Sequence, residues 1–338
     1  MSAAFALTAV AGFVVSLIVS WLALRAAVLD HPNARSAHER PTPRAAGLGI
    51  LAGLGAGLLA AATTPLGSGE LAGLLAVTGL FAALGLADDL FDLSEGLKFI
   101  VFAALCLAIT LAAGPVTRLP LTLEIGLDLP LWLGVIGSAL FIFTVVNAVN
   151  FMDGSDGMLA AVMAPAGVGL AVAGLVAGVT SASLIGAALA AALAGFWVFN
   201  RPPARAFAGD VGALAAGAAY AGAALAMAGN GFSGSLWLAP LFVLVFLADV
   251  LLTLLRRARH GRLRLSAHSE HAYQRLIRQG WSHGRLAQIY GGLTALIVIT
   301  GLSAAQGPDG LVAVGFAVWV VILTALYWLA GRIAPGGN

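Results

Sequence analysis

The sequence has few charged residues and almost no cysteine. Of its 338 residues only 9% are Asp, Glu, Lys or Arg, whereas 60% are hydrophobic. An ordinary soluble domain has roughly 25% charged residues, so this composition excludes a soluble enzyme and a disordered chain. The net charge of +2 excludes a protein that binds nucleic acid through an overall positive charge. The single cysteine, Cys106, cannot form an intramolecular disulfide. The composition therefore predicts a protein that lives in a bilayer.

The apolar residues form about eleven runs, each suited to a helix across the roughly 30 Å core of a bilayer. The runs are 4–26, 47–64, 70–87, 97–114, 131–149, 158–178, 181–199, 211–229, 235–255, 286–305 and 310–331. The sequence thus predicts an all-α polytopic integral membrane protein with one domain over residues 1–338. No basic segment precedes the first run, so we expect a retained span there and not a cleaved signal peptide. The alternation of polar and apolar residues at 115–130 fits either a small hairpin or a plain connecting loop.

Charged residues are concentrated on one side of the predicted spans. The loops on that side are residues 27–46, 88–96, 147–157, 200–211 and 256–285. Together with their flanks and the C-terminus, these loops hold all six histidines and every Lys and Arg except Arg118. Because positively charged loops stay in the cytoplasm, we expect the N-terminus outside and the C-terminus inside. The same rule predicts an active site on the cytoplasmic face.

Acidic residues stand where two predicted spans meet these loops. Asp88 and Asp89 follow an apolar run, and their repulsion requires a nearby cation, proton or basic group such as Lys98. A solvated helix end is the alternative interpretation. The segment NAVNFMDGSDG at 147–157 combines Asn and Asp at three-residue spacing with two glycines, which favours a turn close to a nucleotide. A calcium EF-hand does not fit, because its loop pattern and distal Glu are absent.

Three further motifs lie in the same loops. The segment 209–212 places Asp210 at the start of a span, either as a helix N-cap or, with the other acids, as a ligand of Mg²⁺ or Mn²⁺. The segment HSEH at 268–271, followed by Arg275, fits weak phosphate binding better than zinc, for which a third ligand is missing. Attraction to anionic lipid explains the basic residues around it equally well. The stiff basic segment 38–44 fits either the binding of an anionic ligand or the positive charge that is ordinary beside a span on the cytoplasmic side.

In this order, the motifs resemble the polyprenyl-phosphate N-acetylhexosamine-1-phosphate transferase family (MraY/WecA-like, glycosyltransferase family 4). The resemblance rests on DHPNARSAHERPTPR at 30–44, DDLFDLSEGLK at 88–98, NAVNFMDGSDGM at 147–158, FAGDVGAL at 207–214 and HSEHAYQRL at 268–276. It covers nearly the whole chain, and the histidine segment is most similar to the WbpL-type O-antigen initiating branch. The sequence departs from the family pattern at Ala45 and Ala46, where two glycines are usual, and at Ala213, where Ser is common.

The resemblance implies transfer of HexNAc-1-phosphate from a UDP-activated sugar to undecaprenyl phosphate, giving undecaprenyl-diphosphate-HexNAc and UMP. This is the first membrane step of O-antigen or related glycan synthesis at the bacterial inner membrane. Mg²⁺, or Mn²⁺ in its place, is expected on Asp210 and Asp88, and a homodimer is also compatible with the family. The implied catalytic residues are Asp88, Asp89, Lys98, Asp210, His268 and His271. The implied substrate-binding residues are Thr42, Arg44, Asn147, Asn150, Asp153, Asp156, Phe207 and Arg275.

Three other functions stay open at this level. A muramoyl-pentapeptide phosphotransferase of peptidoglycan synthesis would share the fold and the motifs. A polytopic transporter of lipid-linked or small anionic substrates is expected to carry ionisable residues within its spans, but these spans are nearly free of charge, and Asp249 is the main exception. A membrane prenyltransferase would also use acidic loops and Mg²⁺, but NFMDGSDG is not its kind of acidic motif.

Overall fold

The computed structural model describes residues 2–26, 29–30, 42–43, 45–62, 69–120, 126–232, 234–261, 270–308 and 310–334. These residues are almost entirely helical. The helices are α1 (Ser2–Ala26), α2 (Leu48–Ala62), α3 (Gly69–Phe91), α4 (Glu95–Ala113), α5 (Leu131–Met152), α6 (Met158–Ala177), α7 (Thr180–Asn200), α8 (Gly209–Asn230), α9 (Ser235–Leu241), α10 (Leu244–Arg259), α11 (Ala272–Arg278), α12 (His283–Ala304) and α13 (Leu311–Ile333). A short 3₁₀ helix, Ala45–Gly47, precedes α2.

Ten of the predicted apolar runs each coincide with one helix and the run at 235–255 with two, which confirms the all-α polytopic class. Within the described ranges nine helices are long and apolar enough to cross a membrane, and α9 with α10 adds a tenth if the pair is one span. Helix α2 is apolar but shorter than these. The total of about eleven spans and the orientation of the chain stay predictions.

The run predicted at 235–255 is not one straight helix. Helices α9 and α10 meet at an angle of 69° across a break at Phe242 and Val243. The break follows Pro240, and proline both removes a helical hydrogen-bond donor and clashes with the preceding turn. The prediction of a single continuous helix here is therefore wrong, and α10 leaves the bundle in a new direction.

Two short antiparallel strand pairs connect the helices. Strands β3 (Arg118–Pro120) and β4 (Gly126–Asp128) pair between α4 and α5, which confirms the hairpin of the two alternatives at 115–130. Strands β1 (Leu29–Asp30) and β2 (Thr42–Pro43) pair between α1 and α2. This second pair was not expected from the sequence, since each strand is only two residues long.

Helix α8 lies at the centre of the bundle. It packs against α2, α3, α4, α5, α6, α7 and α9, and from Val211 to Met227 every residue is buried. Most of these residues are Ala or Gly, and small side chains let neighbouring helices approach closely in lipid. Its first turn carries Asp210. A carboxylate at the end of the most enclosed helix is thereby held in a fixed position relative to the surrounding helices.

Candidate active site

The adjacent carboxylates Asp88 and Asp89 lie in the last turns of α3. Asp88 Oδ1 is 2.5 Å from Lys98 Nζ in the first turn of α4, and the same oxygen accepts the Leu93 backbone N–H at 3.0 Å. Both side chains of this ion pair are mostly shielded from solvent. The turn between α3 and α4 thus brings the predicted basic partner, Lys98, onto Asp88.

Asp210 meets these carboxylates from the opposite helix. Its carboxyl group is in hydrogen-bonding contact with Asp88, and Asp89 Oδ2 accepts the Val211 backbone N–H at 3.4 Å. The close approach depends on Gly85, one turn before Asp88. A Cβ at Gly85 would lie 2.5 Å from the carbonyl carbon and oxygen of Asp210. The missing side chain therefore lets the start of α8 lie directly against α3.

The turn after α5 adds a fourth carboxylate to this group. Burial, followed by the negative charges of Asp210 and Asp89, raises the pKa of Asp153 well above its ordinary value. Asn147 and Asn150 lie one turn apart on α5 just before it, both partly buried. The Asn147 amide donates to Phe143 O at 2.8 Å within the helix. The structure therefore brings the acidic residues of three distant motifs to one end of the bundle.

Asp156 serves the architecture of the turn, although it was predicted to bind substrate. Its Oδ2 accepts the Ala204 backbone N–H at 2.9 Å. The next residue, Gly157, donates its N–H to the buried Asn200 Oδ1 at 3.1 Å, and Asn200 Nδ2 donates to Ala206 O at 3.0 Å. These bonds fasten the turn between α5 and α6 to the segment between α7 and α8. One oxygen of the Asp156 carboxylate is therefore bonded to the backbone in this arrangement.

His283, the first residue of α12, supports the same turn, a contact that was not expected from the sequence. Its Nδ1 accepts the Asp156 backbone N–H at 3.1 Å and lies 3.0 Å from Ser155 Oγ. Because Nδ1 accepts from a backbone donor, the neutral ring carries its proton on Nε2. In the sequence His283 is only one of the six histidines in the loops of one side, with no local sign of its partner.

The histidine segment reaches the same turn through His271. This residue is buried, its Nδ1 is 3.5 Å from Asp249 Oδ1, and its ring lies 6.1 Å from the ring of Phe151. The hydroxyl of Tyr273, two residues on, donates to Phe151 O at 3.1 Å. His271 is therefore placed beside the turn that carries Asp153.

Arg275 lies elsewhere, although it was expected to hold diphosphate or sugar. Its side chain is buried, its Nη1 donates to Ala334 O at 3.3 Å, and its guanidinium lies 5.2 Å from the centre of the Tyr327 ring. These contacts are with α13 and the residue that follows it. Burial lowers the pKa of Arg275. The structure thus directs Arg275 toward α13 and not toward the acidic residues.

The remaining predicted residues are partly described. Phe207 lies three residues before Asp210 and is partly exposed. Thr42 pairs through its backbone with Asp30 in the first strand pair. His268 and Arg44 lie outside the described residues.

The donor set suits a magnesium–phosphate complex. In the part of the chain that the structure covers, no group of three His, Cys, Asp or Glu side chains could hold a metal ion. Mg²⁺, however, usually takes only one or two carboxylates and completes its shell with phosphate oxygens and water. Asp88 and Asp210 form such a pair, and two carboxyl groups in contact require a proton or a cation between them. Asp88 and Asp210 therefore fit a metal ion whose remaining ligands are phosphate oxygens and water.

Comparisons with known proteins give one matching family model and several relatives named as transferases. Residues 71–228 match the family model described as Glycosyl transferase family 4. The chain is 28% identical to a decaprenyl-phosphate N-acetylglucosaminephosphotransferase of Mycolicibacterium smegmatis, over 94% of this chain and 86% of that protein. It is 27% identical to a probable undecaprenyl-phosphate N-acetylglucosaminyl 1-phosphate transferase of Bacillus subtilis, over 83% and 78% of the two chains. A phospho-N-acetylmuramoyl-pentapeptide-transferase of Desulforudis audaxviator is 29% identical over 90% of this chain and 96% of its own.

Proposed function

Because this chain belongs to glycosyl transferase family 4, as a multi-pass membrane transferase, we propose that it moves HexNAc-1-phosphate from a UDP-activated sugar to undecaprenyl phosphate. The products are undecaprenyl-diphosphate-HexNAc and UMP. The observation that carries the proposal is the meeting of Asp88, Asp89, Asp153 and Asp210 with Lys98 at one end of an apolar bundle. Relatives named as polyprenyl-phosphate sugar-phosphate transferases support the same reaction.

In this reaction an oxygen of the lipid phosphate attacks the phosphorus attached to the sugar. A new P–O bond forms, the bond from that phosphorus to the bridging oxygen breaks, and UMP leaves with the bridging oxygen. A phosphate monoester is already largely ionised at pH 7, so the nucleophile chiefly needs positioning. Attacking and leaving groups are both anionic, and the site must therefore supply positive charge.

The residues divide this work between them. Asp210 and Asp88 would hold Mg²⁺, which neutralises charge on the diphosphate and aligns the phosphates when bound. Lys98, paired with Asp88, supplies the fixed cation beside the phosphates. Asp89 accepts the Val211 N–H and so fixes the first turn of α8 against α3.

The turn after α5 is the proposed contact for the nucleotide. Asn150 and Asp153 lie at the end of α5, where amide and carboxyl groups can hydrogen-bond a uracil or ribose. Phe207 offers an aromatic face close in sequence to Asp210 for stacking on the base. We place this site on the cytoplasmic face of the inner membrane, because every Lys and Arg except Arg118 lies in or beside the loops of that side.

The proposed biological step is the committed membrane reaction of O-antigen or related cell-envelope glycan synthesis. The experiment is release of UMP by purified protein supplied with undecaprenyl phosphate, Mg²⁺ and a panel of UDP-sugars, among them UDP-GlcNAc and UDP-MurNAc-pentapeptide. We expect turnover with a UDP-HexNAc, and none without the lipid or in EDTA. Turnover with UDP-MurNAc-pentapeptide alone would support the peptidoglycan enzyme, to which the Desulforudis relative points.

Variants of the carboxylates test the site. Asp210→Ala and Asp88→Asn should lose almost all activity, about a 1000-fold decrease, as expected when charge stabilisation at the reacting phosphates is removed. Asp128→Asn is the matched control, because Asp128 is an exposed carboxylate in the hairpin between α4 and α5. Full activity in Asp210→Ala would contradict the assignment.

A further inference from the structure

One buried carboxylate lies outside the acidic site and accepts an unusual number of hydrogen bonds. Asp249 lies in α10 and is 4% exposed. Its Oδ1 accepts the Ala272 backbone N–H at 2.8 Å, and its Oδ2 accepts the Tyr273 backbone N–H at 3.3 Å and the Tyr290 hydroxyl at 2.7 Å. A buried carboxylate is tolerated only when such donors replace its hydration. The site proposed above uses none of these contacts.

These bonds fix the start of α11. The first N–H groups of a helix have no partner within it, and a carboxylate is the partner that also suits the helix dipole. Asp249 supplies both oxygens to the first two residues of α11, Ala272 and Tyr273, and reaches His271 at 3.5 Å. Helix α11 has only seven residues, so an anchor at its start determines where its side chains lie.

Helix α11 in turn contacts the turn that follows α5. The Tyr273 hydroxyl donates to Phe151 O at 3.1 Å, and a Cβ at Gly154 would lie 2.2 Å from the same hydroxyl oxygen. Phe151 and Gly154 stand on either side of Asp153. Tyr273 is fully buried, so its phenol is held against the turn from one side.

We infer that Asp249 is a positioning residue for the proposed donor site. It acts through Tyr273, which holds the 151–154 turn and hence Asp153 in the position that the nucleotide requires. This inference rests on the proposed function, because it assigns the turn to binding of the UDP-sugar. The proposed function puts the phosphates beside Lys98 and the metal that Asp88 and Asp210 would hold, so the lipid phosphate is not on this path.

The chain offers a matched pair of variants. Tyr273→Phe removes the buried hydroxyl that donates to the Phe151 carbonyl and also contacts the Gly154 backbone. Tyr220→Phe removes the same kind of bond, from Tyr220 to Ala239 O at 2.7 Å, between α8 and α9. Both tyrosines are completely buried. A merely structural role would make the two variants behave alike, whereas a positioning role affects the donor site in Tyr273→Phe only.

The first readout is the pair of Michaelis constants. For Tyr273→Phe we expect KM for UDP-GlcNAc to rise about tenfold, the effect of losing one buried hydrogen bond, with KM for undecaprenyl phosphate unchanged. Asp249→Asn should raise the same KM at least as much, because an amide offers only one oxygen to donors that now use two. Tyr220→Phe should change neither constant. Equal changes in Tyr273→Phe and Tyr220→Phe, or a rise confined to the lipid, would overturn the inference.

The second readout does not need activity. Hydrogen–deuterium exchange of the detergent-solubilised protein measures opening of the amides at 153–158, among them those of Asp156 and Gly157. We expect these amides to exchange several-fold faster in Tyr273→Phe and Asp249→Asn than in the wild type and in Tyr220→Phe. Unchanged exchange would overturn the inference. If the wild type transfers no sugar phosphate from any UDP-sugar, the proposed function fails, and the exchange rates still decide whether Asp249 and Tyr273 hold the turn.

Discussion

A methyl group at Gly85 should separate the two helices that carry the acidic site. The Cβ of Gly85→Ala would lie 2.5 Å from the carbonyl carbon and oxygen of Asp210 and 2.7 Å from Val211 N. All three atoms belong to the backbone of α8, so no side-chain rotation can relieve the overlap. The substitution therefore acts on the relative position of α3 and α8 and removes no functional group.

The size of the effect follows from these distances. Carbon atoms in ordinary contact are roughly 3.5–4.0 Å apart, so the helices must move apart by about 1 Å. Overpacking of this kind costs about 1–3 kcal/mol of stability, more than the roughly 1 kcal/mol that Ala gains over Gly in a helix. A displacement of about 1 Å at a reacting centre can cost about 100-fold in rate. We therefore expect Gly85→Ala to fold with a lower Tm and to retain about 1% of the activity.

The assay is release of UMP from UDP-GlcNAc in the presence of undecaprenyl phosphate and Mg²⁺, together with thermal unfolding in detergent. Gly79→Ala is the matched control, because Gly79 lies on the same helix and a Cβ there would meet no atom within 4 Å. This control should keep full activity and an equal or higher Tm. Wild-type activity in Gly85→Ala would refute the assignment of the site to the contact between α3 and α8.

Three other predictions follow from the same geometry. Lys98→Met should lower activity about 100-fold or more without unfolding the protein, because Asp88 and the phosphates lose their fixed cation. The rate of UMP release measures the loss of activity. Asn200→Ala should lower the free energy of unfolding by about 1–3 kcal/mol, seen in denaturant titrations, because the buried Gly157 N–H loses its acceptor. The raised pKa of Asp153 means that its protonated form stabilises the fold, fully below about pH 4 and progressively less as the pH rises through the raised value. In EDTA, Asp153→Asn should therefore show a smaller fall of Tm with rising pH than the wild type, and an equal fall would contradict the role of burial.

Much of the fold follows from local sequence. The length of an apolar run is set by the thickness of the bilayer, so every predicted run except 235–255 coincides with one helix. The bend between α9 and α10 was missed because Pro240 stands within an otherwise continuous apolar run. Apolar length alone therefore does not distinguish a straight span from a broken one, although Pro240 itself was a readable signal.

The site was predicted in part because its residue types are rare in this sequence. Asp88, Asp89 and Asp210 stand out against the apolar spans, and the structure places them together with Asp153. What the sequence could not provide is the partner of each polar group. Asp156 accepts a backbone N–H from a segment 48 residues away, and such a long-range bond has no local signature.

The same limit explains the residues at α11. Arg275 follows the histidine segment closely, yet one face of this short helix turns toward α13 and the other toward the turn after α5. Tyr273 and Arg275 are two positions apart in this helix and therefore face different neighbours, so proximity in sequence did not imply a shared ligand. Asp249 was recognised as the main charged residue within a span, but the donors at α11 and α12 that bond to it lie 23 to 41 residues away.

The identity of the nucleotide that is released tests the central claim most directly. Purified protein incubated with UDP-GlcNAc, undecaprenyl phosphate and Mg²⁺ should release UMP in equal amount to the lipid-linked diphosphate sugar formed, and Asp210→Ala should release it about 1000-fold more slowly. Release of UDP would mean that the sugar moves without its phosphate. That result would contradict a site in which Asp88, Lys98 and Asp210 act on the diphosphate.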